Sequence, residues 1–284
     1  MAETNMIKEY LQTGIATEGS LLIPKKIYDN IIMAVDKALI PRSEAALYLG
    51  PADIPGSSID IDLETPDSMA VRLVGEGAEF PIDVEEYTSF NLKPAKYGVQ
   101  LRITKEMTED SKFNLLAMNI ARAGKEIAEN ENSLVISNAL DNATNTVSGG
   151  AAVNIANITR AIQYLEDNDY QATTFFVGNE VLNDLRNIDT FVEANKVGNT
   201  DMLAKGFLGT IYGMNVIRVS TNAGMTATSA YVTDKSQAYV IAEKRPVTVE
   251  GFKLNVFDME GVVVSQRIVV RQLRAQAIAK ITSS

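Results

Sequence analysis

A helical pattern of unusual length runs from Asp110 to Asp141. Phe113, Leu116, Ile120, Ala123, Ile127, Leu134 and Val135 recur at helical spacing, and no proline interrupts them. Asp110 or Ser111 can cap the start by accepting a hydrogen bond from an orphan amide of the first turn. About 30 residues rising ~1.5 Å each predict a rod roughly 45 Å long. The other side carries Lys125, Glu126, Glu129 and Asn130. One side is therefore buried along its length and the other faces water or a neighbour. Glu131 falls on the apolar side and interrupts the stripe; a solvated helix edge is expected there, not a specific ion pair.

Ahead of the helix the period changes to two. Ile59, Ile61 and Leu63 alternate with Asp60, Asp62 and Glu64, which predicts a half-buried strand. Phe90 to Thr104 reads as a second alternating strand, with Tyr97, Val99, Leu101 and Ile103 on one face and Lys96, Gln100 and Arg102 on the other. Gly75-Glu76-Gly77 and Pro81 break the chain between them. Residues 57–104 thus predict a long two-stranded excursion with a glycine-rich middle. Such a ribbon is marginal alone in water, so it must lie on the rest of its own fold or on another subunit. Before it, Ile27, Ile31, Ile32, Val35 and Leu39 predict a short helix that Pro41 stops. Residues 51–56, PADIPG, predict a turn or linker.

Beyond the long helix, SGGAA (148–152) marks a change of texture. Ile158, Ile162 and Leu165 predict a helix ending near Asp169, followed by a strand over Thr173 to Val177. Asn179 is expected to cap a helix holding Val181, Leu182 and Leu185. A polar loop follows over 187–206. FLGTIYGMNVIRVS then predicts a strand, a Tyr-Gly turn and another strand. AYVTDKSQAYVIAEK predicts a hairpin bent at Asp234-Lys235-Ser236. The strand-rich end, Val247 to Ile281, is expected to return and pack on the long helix. The fold class is α+β.

Composition removes most catalytic chemistry. The 284 residues contain no cysteine and no histidine. This excludes disulfides, thiolate metal sites, Ser-His-Asp and Cys-His catalysis, and HExxH zinc sites. The formal charge is −10, from 36 acidic and 26 basic residues. An acidic chain is repelled by nucleic acid unless its basic residues segregate. No apolar run approaches the ~18–20 residues of a membrane span, and the N-terminus lacks the layout of a signal peptide. Asp60, Asp62 and Glu64 could hold a divalent cation, but a solvated strand face or an intersubunit ion pair is the expectation. Gly75-Glu76-Gly77 lacks the third glycine and the following helix of a dinucleotide loop; it predicts a loop tip. Glu85 with Glu86, and Asp167 with Asp169, have no nucleophile beside them and read as solvated acidic clusters.

The ordered set of segments resembles the major capsid protein of tailed bacteriophages, the Hong Kong ninety-seven-like fold. The carrying residues are GEGAEFP (75–81), FNLKPAKYGVQLRITKEMTEDS (90–111), the long helix, and LGTIYGMNVIRVS (208–220). The resemblance covers most of the chain from about residue 20. It implies an N-terminal arm (1–56), an extended β-hairpin loop (57–104), a peripheral domain with a spine helix (105–148), an axial domain (149–242) and C-terminal strands returning to the peripheral domain (243–284). The implied role is a shell of pentamers and hexamers around packaged double-stranded DNA, touched weakly and non-specifically. A separate scaffolding protein and a portal are the further partners; no enzyme activity, cofactor or membrane is expected. A nanocompartment shell enclosing cargo enzymes is the alternative. Arg72, Glu76 and Glu79 on the loop, and Arg267, Arg271 and Arg274 near the end, are the candidates for intersubunit contacts; the three late arginines meet a neighbour's acids or face DNA. Some relatives weld their shells through a loop lysine, but residues 57–92 hold none, so no covalent cross-link is expected. The short lead before the arm implies either a separate scaffolding protein or an already processed form.

Overall fold

The computed structural model describes residues 40, 42–64, 71–77, 79–80, 82, 84, 86–104, 106, 115–188, 209–254 and 258–283. The predicted helix over 27–39, the start of the long helix at Asp110 and most of the polar loop over 187–206 lie outside the described residues. In chain order the elements are β1 (Leu47–Leu49), β2 (Ile59–Glu64), β3 (Tyr87–Leu92), β4 (Ala95–Thr104), α1 (Leu115–Asn138), β5 (Asn145–Gly150), α2 (Ile155–Glu166), β6 (Thr174–Val177), α3 (Asn179–Asn187), β7 (Thr210–Ile211), β8 (Met214–Arg218), β9 (Ser229–Thr233), β10 (Tyr239–Leu254), β11 (Met259–Gln272) and β12 (Ile278–Ser283). They form a four-stranded sheet in the order β1-β10-β11-β4, a six-stranded sheet in the order β5-β12-β9-β6-β8-β7, and the ribbon β2-β3.

Helix α1 joins the two larger sheets. Its outer side carries the i,i+4 pairs Arg122–Glu126 at 3.6 Å and Lys125–Glu129 at 3.3 Å. Its inner side lays Ala123, Ile127 and Ala128 on Val247, Val262 and Val264 of β10 and β11. Two turns later Val135, Ile136 and Ala139 enter a second cluster with Tyr239 and Ile241 of β10, Ile268 and Val270 of β11, Phe176 of β6 and Tyr231 of β9. The helix thus rests on one sheet along its middle and plugs the seam between both at its end. Asp141, just past that end, accepts hydrogen bonds from Tyr231 at 2.6 Å and Lys280 at 2.7 Å.

The six-stranded sheet is covered by α2 and α3. Asn154 caps α2 by accepting from the Asn157 amide at 3.0 Å. Ile158, Ala161 and Leu165 of α2, with Val181, Leu182 and Leu185 of α3, pack on Phe175, Val177 and Val232. Asn179 is the first residue of α3, not its cap; Gly178 holds the cap position. A Cβ on Gly178 would lie 2.5 Å from the Ala227 carbonyl oxygen, so this backbone contact demands glycine. The Asn179 side chain instead accepts from the Arg218 guanidinium at 2.9 Å. The Tyr-Gly turn between β7 and β8 has φ of 50° at Tyr212 and 81° at Gly213, the double left-handed conformation that suits a two-residue hairpin turn.

Pairing partners correct the sequence reading in three places. The alternating stretch 90–104 is two strands, not one: β3 pairs with β2, and β4 pairs with β11. Pro94 stands between them, and proline cannot donate to a ladder. The stretch 230–244 is not a hairpin. Strand β9 lies in the six-stranded sheet and β10 in the four-stranded one. Asp234 organises the crossing, its carboxylate accepting from the Ser236 amide at 2.8 Å and the Gln171 amide at 3.1 Å. Lastly, the glycine-containing 145–150 forms strand β5, parallel to β12. Gly149 permits that approach, since a Cβ there would meet the Thr282 carbonyl oxygen at 3.2 Å. In the C-terminal segment, β11 contributes to the face under α1, while β12 joins β5 and β9.

Ile127 is 4% exposed. Ile127→Asp buries an unpaired charge, which costs several kcal/mol, and is expected to leave no soluble folded subunit by circular dichroism. Ile127→Ala is expected to cost about 2–5 kcal/mol in urea titration, and Glu126→Ala on the wet side no more than ~0.5 kcal/mol. Soluble, native-like Ile127→Asp would refute the buried role of this face.

Candidate assembly interface

The ribbon β2-β3 is anchored at one end and open at the other. Its strands pair from Ile59↔Leu92 to Glu64↔Tyr87. Because side chains alternate along a strand, Ile59, Ile61, Phe90 and Leu92 all point to one face. They pack with Ile54, Val240, Ala242 and Val269 in a small cluster on the outer side of the four-stranded sheet. Asp60, Asp62 and Glu64 occupy the opposite, exposed face, and Asp60 accepts from the Asn91 amide group at 2.6 Å.

Past the last pair the apolar pattern continues without cover. Val71, Leu73, Phe80, Ile82 and Val84 are all exposed, Leu73 wholly so and Phe80 to 78%. Burying one such side chain fully contributes roughly 1.5–3 kcal/mol. A row of them outside the fold marks a contact surface. Arg72, Glu76 and Glu79 sit among these residues and are exposed as well; Gly77, at φ 79°, turns the chain beside Glu76.

The late arginines run along the same ribbon, from its root to its last pair. The Arg267 guanidinium donates to the Pro94 carbonyl at 3.4 Å, Arg271 to the Asn91 carbonyl at 3.2 Å and Arg274 to the Glu64 carbonyl at 2.8 Å. Arg271 also lies over the Phe90 ring, 5.0 Å from its centre. Within one chain, then, these arginines fasten the ribbon to β11 and the turn after it.

Glu131 is the main correction. It is 2% exposed and is not a solvated helix edge. Arg42, in a short 3-10 turn (Arg42–Glu44), grips it with two parallel bonds, Nε to Oε1 and Nη2 to Oε2, both 2.9 Å. The same guanidinium reaches Glu243 of β10 at 3.0 and 3.1 Å. Tyr48 of β1 donates its hydroxyl to Glu243, and its ring centre lies 5.4 Å from the Arg42 guanidinium carbon. Burial opposes the Arg42 charge, but Glu131 and Glu243 overcome it and hold the proton above the ordinary arginine range. Burial and the Glu243 hydrogen bond push the Tyr48 phenol up to about 12. The cluster ties residues ahead of the ribbon to α1 and β10, so the ribbon leaves a fixed base. Next to it, the Ile40 amide donates to Asn132 of α1 at 2.9 Å. The one sequence trace of this cluster is the carboxylate in the apolar stripe; Arg42 and Glu243 lie 89 and 112 positions from it.

Arg42→Met strands two carboxylates and is expected to cost about 3–5 kcal/mol in urea titration, while Arg42→Met/Glu131→Leu/Glu243→Leu recovers most of the loss. The pH sign follows from Tyr48. Its folded pKa of about 12 exceeds the ordinary 10.0, so its contribution is intact below pH 10 and is lost as pH rises towards 12. Tyr48→Phe is expected to flatten the fall in thermal midpoint across that window; an unchanged slope would remove Tyr48 from the cluster's energetics.

Comparison with known proteins agrees with this geometry. No curated protein sequence matches the chain. Among solved structures, the mature capsid of bacteriophage PhiM1 superposes with a TM-score of 0.66 at 11% identity, covering 87% of each chain. A structure from Mycobacterium phage Che8 gives 0.64 at 13% identity over 80% of this chain and 84% of that one. A virus-like particle from Pyrococcus furiosus gives 0.61 at 15% identity over 90% and 98%. These likenesses establish the fold, the Hong Kong ninety-seven-like fold of tailed-phage capsids. The model of the phage capsid protein family matches residues 87–281, and the chain belongs to that family.

Proposed function

We propose that this chain is a major capsid protein that assembles into an icosahedral shell, built of pentamers and hexamers, around the double-stranded DNA of a tailed virus. The carrying observation is the uncovered apolar row Val71, Leu73, Phe80, Ile82 and Val84, mounted on a ribbon fixed at its root. A neighbouring copy that covers this row supplies the burial the single chain lacks. In this reading residues 1–56 are the arm, 57–104 the extended loop, and 149–242 the axial unit around the symmetry axes. The acidic chain holds DNA only weakly, and a separate scaffolding protein and a portal complete the particle. The virus-like particle likeness, which spans 98% of that chain, favours one alternative, a nanocompartment enclosing cargo enzymes.

Negative-stain microscopy of particles made in the native context is expected to show closed shells, and nuclease-protected DNA inside them. Shells with protein cargo and no DNA would select the nanocompartment; absence of closed shells would overturn both readings. Mature particles boiled in detergent are expected to run as one band near 30.9 kDa, because residues 57–92 contain no lysine. A ladder of multiples would show covalent linkage.

A further inference from the structure

The turn Arg42–Glu44 reaches both large sheets. Arg42 grips α1 and β10, and Glu44, two residues on, reaches the six-stranded sheet. The Glu44 side chain is buried, and one of its carboxylate oxygens accepts from the Thr174 hydroxyl of β6 at 2.5 Å. The other oxygen lies 3.9 Å from the Lys235 ammonium, beyond hydrogen-bond reach. Thr174 pairs directly with Thr233 of β9, so the two side chains share a sheet face. It is the face of Phe176 and Tyr231, which looks into the seam between the sheets. Tyr239, the first residue of β10 in the other sheet, lies in the same seam. Its carbonyl accepts from the Ala46 amide at 2.9 Å, two residues past Glu44. Burial, and then the Glu44 charge, hold the Tyr239 phenol above the ordinary tyrosine range. The Thr233 and Tyr239 side chains are wholly buried, yet neither hydroxyl has a hydrogen-bond partner among the described residues.

The balance of donors and acceptors decides what relieves these orphans. Two hydroxyl protons need acceptors, and a buried carboxylate needs more donors than Thr174 alone. A cation would serve the oxygen lone pairs but leave both protons without an acceptor, and the Lys235 ammonium already stands near Glu44. A water both accepts and donates. We propose that Glu44, Thr233 and Tyr239 hold an internal water that accepts from the two hydroxyls and donates to the carboxylate. Three such bonds are the usual complement of a buried water. Access lies alongside: a cleft of about 450 Å³ is lined by Ala45, Ala46, Thr173, Asp234 and Lys235, the chain neighbours of Glu44, Thr174 and Thr233. The segment ahead of the ribbon is thereby tied to both sheets, to α1 and β10 by the Arg42 ion pairs and to β6 and β9 by a hydrated carboxylate.

The test pairs a high-resolution structure of the full chain with thermal midpoints of conservative variants at one protein concentration. Density for a water is expected within about 3.2 Å of Tyr239 Oη, Thr233 Oγ1 and a Glu44 carboxylate oxygen. Tyr239→Phe and Thr233→Val each remove one bond to it and are expected to lower the midpoint by about 2–4 °C. The opposite sign holds for hydroxyls that bind nothing, since deleting a buried orphan stabilises. An unchanged or raised midpoint in either variant therefore overturns the proposal. In a Glu44→Leu background, Tyr239→Phe is expected to lower the midpoint no further; an undiminished fall overturns the role of Glu44. A direct Tyr239–Glu44 hydrogen bond with no density between them overturns it as well. A midpoint that rises in sodium or potassium over tetramethylammonium at equal ionic strength, in the wild-type chain but not in Glu44→Leu, assigns the site to a cation and overturns the water.

Discussion

The burial of one side of α1 is the constraint on which the rest of the structure depends. Its cover comes from strands more than a hundred residues later: Val247, Val262 and Val264 at its middle, and Tyr239, Ile268 and Val270 at its end. Without those strands the apolar stripe has only Val99 and Leu101 of β4 to lie against, and a helix in water gains little from propensity alone. The far end of the same stripe contacts Phe176 and Tyr231 of the other sheet. One helix thereby fixes two sheets relative to each other, and the ribbon inherits its position from that frame.

The Arg42 cluster extends the frame toward the assembly surface. A guanidinium shared by two carboxylates is a costly thing to bury, and it gains nothing over a hydrophobic packing in stability alone. What it provides is directional: two bidentate grips admit one orientation of the segment that precedes the ribbon. Arginines 267, 271 and 274 do a similar job along the ribbon, through backbone carbonyls that are present whatever the ribbon's side chains are. The apolar row beyond is then held out on a fixed stalk, where it can be covered by a neighbour without first being organised by it.

The acid-rich composition takes on meaning in that setting. Eight net negative charges are concentrated in residues 57–92. Like charge concentrated there opposes random clustering of the exposed apolar side chains.

Local periodicity alone determined a good deal. The amphipathic stripe around Ile127, the alternation Ile59-Asp60-Ile61-Asp62, the helix of Ile158 and Leu165 and the Tyr-Gly turn each follow from short-range spacing, because side-chain direction is set by the local backbone. The absence of cysteine and histidine settled which chemistries were out of reach, and the exposed tip was legible as a ribbon with nothing nearby to cover it. Pairing was not legible. That β4 seeks β11 and not β2, that β9 and β10 part into different sheets, and that glycine-rich 145–150 is a strand all depend on partners supplied from elsewhere in the chain. Glu131 shows the same limit in one side chain. Its place in an apolar stripe was visible in the sequence, but its meaning required Arg42 and Glu243, brought together only when the sheets close on the helix. Sequence spacing carries direction over a few residues; which distant groups meet is decided by the packing of the whole chain.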